Sequence, residues 1–383
     1  MKERQRTEFI RDFHASDWCG VFSITGGGAS SLGMLLSVPG GSRTVLEGIV
    51  PYHERSLANW LKKVPEQACS AATALAMGSA AFQRAELLQP DVRGAELFGI
   101  GCTAALASDR PKKGDHRVHV ALQTHARTTL ISLKLNKGAR SRSEEEEVAA
   151  EVILSALGEL IDREYSPELL AGESLERSST TADPLLREVV TNHRGVAWHV
   201  APRMWRETPE KPPGGLLCGS FNPLHLGHRE LRAAAAKYLK CEVGYELSVT
   251  NVDKPPLDFL TIERRVEQTA GVPTAVTNRP LFSGKGELFP GMWFVVGMDT
   301  ALRIVDPRYA GGSEEELRSD QEKIRQAGCR FLVAGRKSAA GYQTRRDLHI
   351  PPGFEELFVE LPESDFREDL SSTELRAGET GVE

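Results

Sequence analysis

The stretch "GLLCGSFNPLHLGH", Gly215 to His228, runs directly into "RELRAAAAKYL". A short apolar run meets a glycine turn, and an alanine-rich helical pattern follows His228, so the order reads strand, turn, helix. A helix start presents unpaired backbone N–H groups and the positive end of a dipole, which suits an anion. Small residues let a phosphate come close to the backbone. The neutral imidazoles of His225 and His228 can donate hydrogen bonds without the desolvation cost of a buried ammonium. Taken alone, two histidines three residues apart fit a solvent-facing turn or a metal site. Their place between strand and helix shifts the reading towards phosphate.

Further apolar runs follow at "EVGYELSVTN", "WFVVGMD", "CRFLVAGR" and "ELFVEL", with helical patterns between most of them. Near-continuous apolar strands separated by helices predict a parallel sheet covered on both faces. Sites in such sheets lie at the carboxyl ends of the strands. That rule puts Gly219 to His228, Asp299 and Arg336 on one rim.

Upstream, "GVFSI", "LEGIVPY", "AELFGIG" and "RVHVALQT" alternate with helical stretches such as "QACSAATALAMGSAAFQRAELL", which predicts a separate α/β unit over 1–162. Its closing helix follows "SRSEEEE", with Ser143 as the expected cap and the four glutamates as a solvated first turn. Residues 163–213, rich in Ser, Thr, Pro and Gly, read as a linker and packing segment. The second domain is then 214–383.

The chain has 383 residues, enough for two domains, with 40% apolar and 26% charged residues. A formal net charge of −6 argues against wholesale nucleic-acid binding. No apolar run is long enough to span a bilayer, and the charged N-terminus does not read as a signal peptide. The six cysteines form no CxxC pair, so neither a zinc site nor a disulfide framework is expected, and a reducing cytoplasm fits.

"GSFNPLHLGH" resembles the HxGH signature of the nucleotidyltransferase superfamily, which includes nicotinate and nicotinamide mononucleotide adenylyltransferases. "FVVGMDT" resembles the family's strand ending in G-x-D, here Gly297 and Asp299. "FLVAGRKS" resembles its strand ending in a basic residue, here Arg336. "LSSTELR" resembles its I-S-S-T-x-x-R motif, here Ser371, Ser372, Thr373 and Arg376. The resemblance covers about 214–380 and implies a Rossmann-like nucleotidyltransferase domain that joins a nucleoside triphosphate to a phosphate acceptor. His225 and His228 would be catalytic. Gly219, Ser220, Phe221, Asn222 and Gly227 would line the nucleotide site, with Mg²⁺ arriving on ATP and no metal bound by the protein itself. Local readings stand beside these: "SSTE" fits a capping box, and Asp299 could cap its helix. Lys254 and Arg264 or Arg265 resemble acceptor-phosphate positions, and Trp293 offers a ring for stacking. Cytidylyltransferases share the signature, so the motifs do not fix the base.

"GGGASSLGMLLSVPGGSRTVLEGIVPY" resembles the C-terminal domain of the competence-damage-inducible A (CinA) family, whose active members deamidate nicotinamide mononucleotide. The serine nucleophile of that family falls near Thr25, and its lysine falls at Leu57. A hydroxyl nucleophile without its base implies an inactive unit, left with binding, regulation or a homo-oligomer interface. Both resemblances point to pyridine nucleotides.

Overall fold

The computed structural model describes residues 2–89, 96–109, 113–250, 255–338 and 341–367. It divides into two units, Met1–Ala182 with Asp253–Thr261, and Asp183–Val252 with Ile262–Glu383. The stretch expected as a linker and packing segment divides between the units: residues 163–182 fall in the first and 183–213 in the second. Its polar strands lie at sheet edges, where solvent exposure hides the apolar alternation on which sequence reading depends.

In the first unit the elements are α1 (Lys2–His14), β1 (Cys19–Thr25), α2 (Ser30–Leu36), α3 (Gly41–Thr44), β2 (Val45–Ile49), α4 (Glu54–Leu61), α5 (Ala71–Leu88), β3 (Leu97–Ala105), β4 (His116–Thr124), β5 (Arg127–Leu135), α6 (Arg142–Gly158) and β6 (Ser174–Thr181). They build one six-stranded sheet in the order β2-β1-β3-β4-β5-β6. β1 runs parallel to both neighbours, while β4, β5 and β6 are antiparallel. On one face Phe22, Ile24, Phe98 and Ile100 meet α1 and α6. On the other, Val21 and Leu97 meet Ala81 and Phe82 of α5.

The small residues of α5 have a steric cause. A Cβ on Gly99 would sit 2.2 Å from the Phe82 nitrogen, and one on Gly101 would sit 2.2 Å from the Ala74 carbonyl oxygen. The helix backbone lies directly on the strand, so these positions have room only for glycine.

In the second unit the elements are α7 (Pro184–Val190), β7 (Val196–Ala201), β8 (Met204–Arg206), β9 (Gly215–Cys218), α8 (Leu226–Leu239), β10 (Val243–Ser248), α9 (Phe259–Glu267), β11 (Thr274–Thr277), α10 (Phe282–Leu288), β12 (Trp293–Gly297), α11 (Met298–Ile304), α12 (Glu314–Gln326), β13 (Arg330–Ala334), β14 (Arg336–Ser338), β15 (Gly341–Gln343) and β16 (Phe358–Leu361), with α9 crossing the unit boundary. The main sheet runs β16-β13-β12-β9-β10-β11-β7-β8. Its first six strands are parallel, and β7 and β8 add an antiparallel edge. Successive residues alternate between two cores: Leu217, Val295 and Leu332 face one, while Leu216, Phe294 and Phe331 face the other. This is the expected parallel sheet covered on both faces. Numbered among themselves, the parallel strands follow the order 6-5-4-1-2-3. That order places a ligand crevice where the winding reverses, between β9 and β12.

Among the described residues, no helix is long and apolar enough to cross a membrane. The close fit of α5 makes a prediction. Gly101→Ala forces two backbones apart and should cost on the order of 3 kcal/mol, read as a lower urea midpoint. A Cβ at Gly33, on α2, meets nothing within 4 Å. Gly33→Ala should be neutral or stabilising, by at most about 1 kcal/mol.

Candidate nucleotide-phosphate site

The turn after β9 is built against the sheet. The Gly219 N–H donates to the Glu246 carbonyl at 3.1 Å, and a Cβ at 219 would lie 2.7 Å from a ring carbon of Phe221. Glycine is therefore required by the ring that folds back over it. Phe221 has φ 46° and is 1% exposed, a left-handed conformation that bulky residues rarely adopt. Its ring stands edge-on to His228 and Tyr245, at 5.3 and 5.1 Å. The Asn222–Pro223 peptide is cis. His225 is the last extended residue, and α8 starts at Leu226, with Gly227 buried in its first turn.

The two imidazoles lie face to face, with ring centroids 3.7 Å apart and a 35° tilt. The His225 backbone N–H donates to Nδ1 of His228 at 3.3 Å. In the neutral ring this leaves the proton of His228 on Nε2. Burial lowers the pKa of His228 to about 4, and His225 beside it adds to the fall. Burial lowers that of His225 as well. At neutral pH the pair is uncharged, and the Nε2–H of His228 is a donor suited to a phosphate oxygen.

Two residues of the α9 region strap the turn, and neither was expected in that role. Gln268 accepts from the Leu224 N–H at 2.8 Å, and its amide donates to the carbonyls of Phe221 at 3.5 Å and Arg264 at 3.1 Å. Arg265 donates to the Ser220 carbonyl at 2.9 Å. Arg264 itself is exposed, so the guanidinium bonded to the turn is its neighbour's. A glutamine without motif context gives no sequence signal.

Across the reversal, a Cβ at Gly297 would meet nothing within 4 Å. Asp299 does not cap α11 and instead pairs with Arg336 just after β13. Trp293 is a correction. It opens β12 in register with Gly215 and Arg330, at the amino end of the strands, and so does not join His225 and His228. Its ring packs on the core and carries the Arg330 guanidinium 5.7 Å from its centroid. Lys254, Ser371, Ser372, Thr373 and Arg376 lie outside the described residues.

The glycine turn of the first unit is chemically different. Gly26 and Gly28 have φ of 79° and 90°, and the turn receives a carboxylate. The two oxygens of Glu146 accept from the N–H groups of Gly28 at 2.9 Å and Ser30 at 3.1 Å. Arg142 holds the Gly26 carbonyl at 2.8 Å. Thr25 is buried and its hydroxyl donates to the Pro51 carbonyl at 3.0 Å. Leu57, at the position of the family's lysine, packs in an apolar cluster. The four glutamates of α6 are not a solvated face. Glu144 closes a capping box with Ser141, which replaces Ser143 as the cap. Glu145 is fully buried against His116 at 2.7 Å and the Ala107 N–H at 2.6 Å. Glu147 pairs with Arg6 at 2.9 Å. The last three differ from the expectation because their partners come from remote parts of the unit.

A parallel sheet with this strand order, and a histidine-bearing turn at its reversal, defines a Rossmann-like nucleotide-handling domain. Residues 216–378 match the family model described as cytidylyltransferase-like, and a nucleotidyltransferase-like domain sits in this part of the chain. None of the curated proteins matches the chain. Among solved structures, the competence/damage inducible protein CihA from Agrobacterium tumefaciens is 21% identical, with 42% of this chain and 93% of that one covered and a TM-score of 0.32. A CinA superfamily protein from Escherichia coli is 14% identical, with 42% and 90% covered and a TM-score of 0.33. One from Klebsiella pneumoniae is 14% identical, with 42% and 98% covered and a TM-score of 0.32. These likenesses fall on the N-terminal part of the chain.

The depressed His228 pKa has a testable consequence. The folded value, about 4, lies below the ordinary 6.5, so between the two the unfolded chain binds more protons. The neutral ring's contribution to stability is complete above pH 6.5 and is lost as pH falls through 4. The His228 ring resonances should titrate near pH 4 by NMR. A midpoint above 6 would contradict the half-buried neutral ring.

Proposed function

We propose that the second unit transfers an adenylyl group from ATP to the phosphate of nicotinate or nicotinamide mononucleotide and releases pyrophosphate. The observation that carries this reading is the pair of neutral, closely apposed imidazoles of His225 and His228 at the start of α8. An acceptor phosphate oxygen forms a bond to the α-phosphorus. The bond from that phosphorus to the bridging oxygen breaks, and pyrophosphate leaves with the electron pair. The acceptor is already an anion, so no base is needed, and catalysis consists of in-line positioning and stabilisation of charge. His228 donates from Nε2 to the triphosphate, and His225 stacks on its ring and holds it in place. Arg336, fixed by Asp299, supplies positive charge on the far side of the crevice. Mg²⁺ would neutralise part of the triphosphate charge. It would be held through few protein ligands and several waters.

The acceptor assignment rests on the first unit. Its motifs resemble a family acting on nicotinamide mononucleotide, and fusion with a nucleotidyltransferase joins two chemistries of one substrate class. In this reading the first unit binds or regulates, and self-association is one form that regulation can take. Among the described residues no cysteine forms a disulfide, which is consistent with work in the cytoplasm. Cytidylyl transfer to another phosphorylated acceptor is the second reading, and the cytidylyltransferase-like family match favours it.

Incubation of the full chain with Mg²⁺, ATP or CTP, and a panel of phosphorylated acceptors should give ATP-dependent pyrophosphate release with pyridine mononucleotides. Preference for CTP would establish the second reading instead, and no release with any pair would refute both. His228→Ala should lower turnover by about 10²-fold or more while moving the melting temperature by only a few degrees. The full chain should release no ammonia from nicotinamide mononucleotide, because the Thr25 proton is committed to the Pro51 carbonyl and Leu57 stands where the resemblance puts the lysine.

A further inference from the structure

Beneath the turn, the second unit buries an ion pair with no part in the chemistry above. Glu246 on β10 is 1% exposed and Lys285 on α10 is 5% exposed. The Lys285 Nζ lies 2.6 Å from Oε2 of Glu246, and the Thr277 hydroxyl at the end of β11 donates to Oε1 at 2.6 Å. The ammonium also sits 4.7 Å from the centroid of the Phe282 ring. Burial disfavours the Lys285 charge, but Glu246 outweighs it and raises the pKa. The buried Cys218 thiol is pushed up by desolvation and by the same carboxylate.

Glu246 does two things at once. Its backbone carbonyl accepts the Gly219 N–H, the first bond of the turn, and in the sheet it is paired with Cys218, the last residue of β9. Its side chain meanwhile ties β10 to β11 and α10. A buried ion pair is poor value for stability, because well-packed apolar residues of the same volume usually do as well or better. What apolar packing lacks is direction. Two carboxylate oxygens with two fixed donors allow Glu246 one rotamer, and with it one position of the carbonyl that starts the turn.

We infer that Lys285 and Glu246 are positioning residues that set the Gly219 end of the phosphate turn. The inference rests on the nucleotidyltransferase reading for its effect on rate, but not for its effect on the turn. The test uses the full chain as K285M, which strands a buried carboxylate, and as K285M/E246M, which removes both charges. The double variant should be more stable than the single. Well below either melting temperature, its kcat for pyrophosphate release should be down about 10²-fold, as for a misplaced reactive group, with KM for the nucleotide changed less than about threefold. K285R, which keeps the charge, should recover part of the rate. Exchange of the Gly219 amide in the double variant should accelerate at least about tenfold, while amides of β13 stay protected. Wild-type kcat or wild-type Gly219 protection in the double variant overturns the inference, as does a double variant no more stable than K285M. If the wild-type protein releases no pyrophosphate with any substrate pair, the functional reading fails, and Gly219 exchange alone decides the positioning role.

Discussion

The site depends on one topological constraint: β9 has β10 on one side and β12 on the other. Chain leaving β9 winds one way, and chain returning to β12 winds the other, so the carboxyl end of β9 is not roofed by its own connections. Hydrophobic burial fixes this arrangement, because each strand feeds alternate side chains to two cores and a slip of one residue would exchange them. The opening at the reversal is thus a by-product of how the sheet satisfies both faces. What fills its wall is set by chemistry: a glycine where a phenylalanine ring must pass, and a histidine where the helix begins.

Burial then decides the state of those histidines. Phe221 sets the edge of an apolar ring against His228, and two imidazoles in van der Waals contact cannot both carry charge without strong repulsion. The neutral state follows from packing alone. In the proposed reading it would let the rings donate to phosphate oxygens without first losing a tightly held hydration shell. The turn is held on both flanks, by Gln268 and Arg265 on one side and the Glu246 carbonyl on the other. A left-handed Phe221 persists because these bonds over-determine it.

Local order was legible in the sequence, and long-range partnership was not. The strands β9, β10, β12, β13 and β16 announce themselves as apolar runs, and the histidine turn is recognisable from ten consecutive residues. β6 and β8 escape because edge strands are polar or very short, and β11 because threonines open and close its four residues and leave no apolar run. Trp293 was misplaced because its amphipathic ring suits a ligand wall and a strand start equally, and only register tells which end of the sheet it occupies. Glu144 to Glu147 read as one charged run but have separate destinations: Glu144 closes a local capping box, while the partners of Glu145, Glu146 and Glu147 are chosen by tertiary packing. Glu246 and Lys285 sit in sequence contexts that would suit ordinary surface residues. Their burial appears only once the sheet order is known.

The chain contains the same local design twice, a strand running through a glycine turn into a helix, and the two copies are filled with opposite chemistry. In the second unit the turn ends in two uncharged donors. In the first, Gly28 and Ser30 direct their N–H groups at the paired oxygens of Glu146, a bidentate contact that a free anion would have to displace. Displacement would leave the half-buried Glu146 carboxylate facing Arg142 at 4.0 Å without its two N–H donors. Desolvation and loss of two charge-assisted hydrogen bonds both oppose that. Glycine turns at helix starts are therefore not equivalent evidence for anion binding. The deciding feature is whether the fold has already delivered a carboxylate of its own, and that carboxylate lies more than a hundred residues away in the sequence.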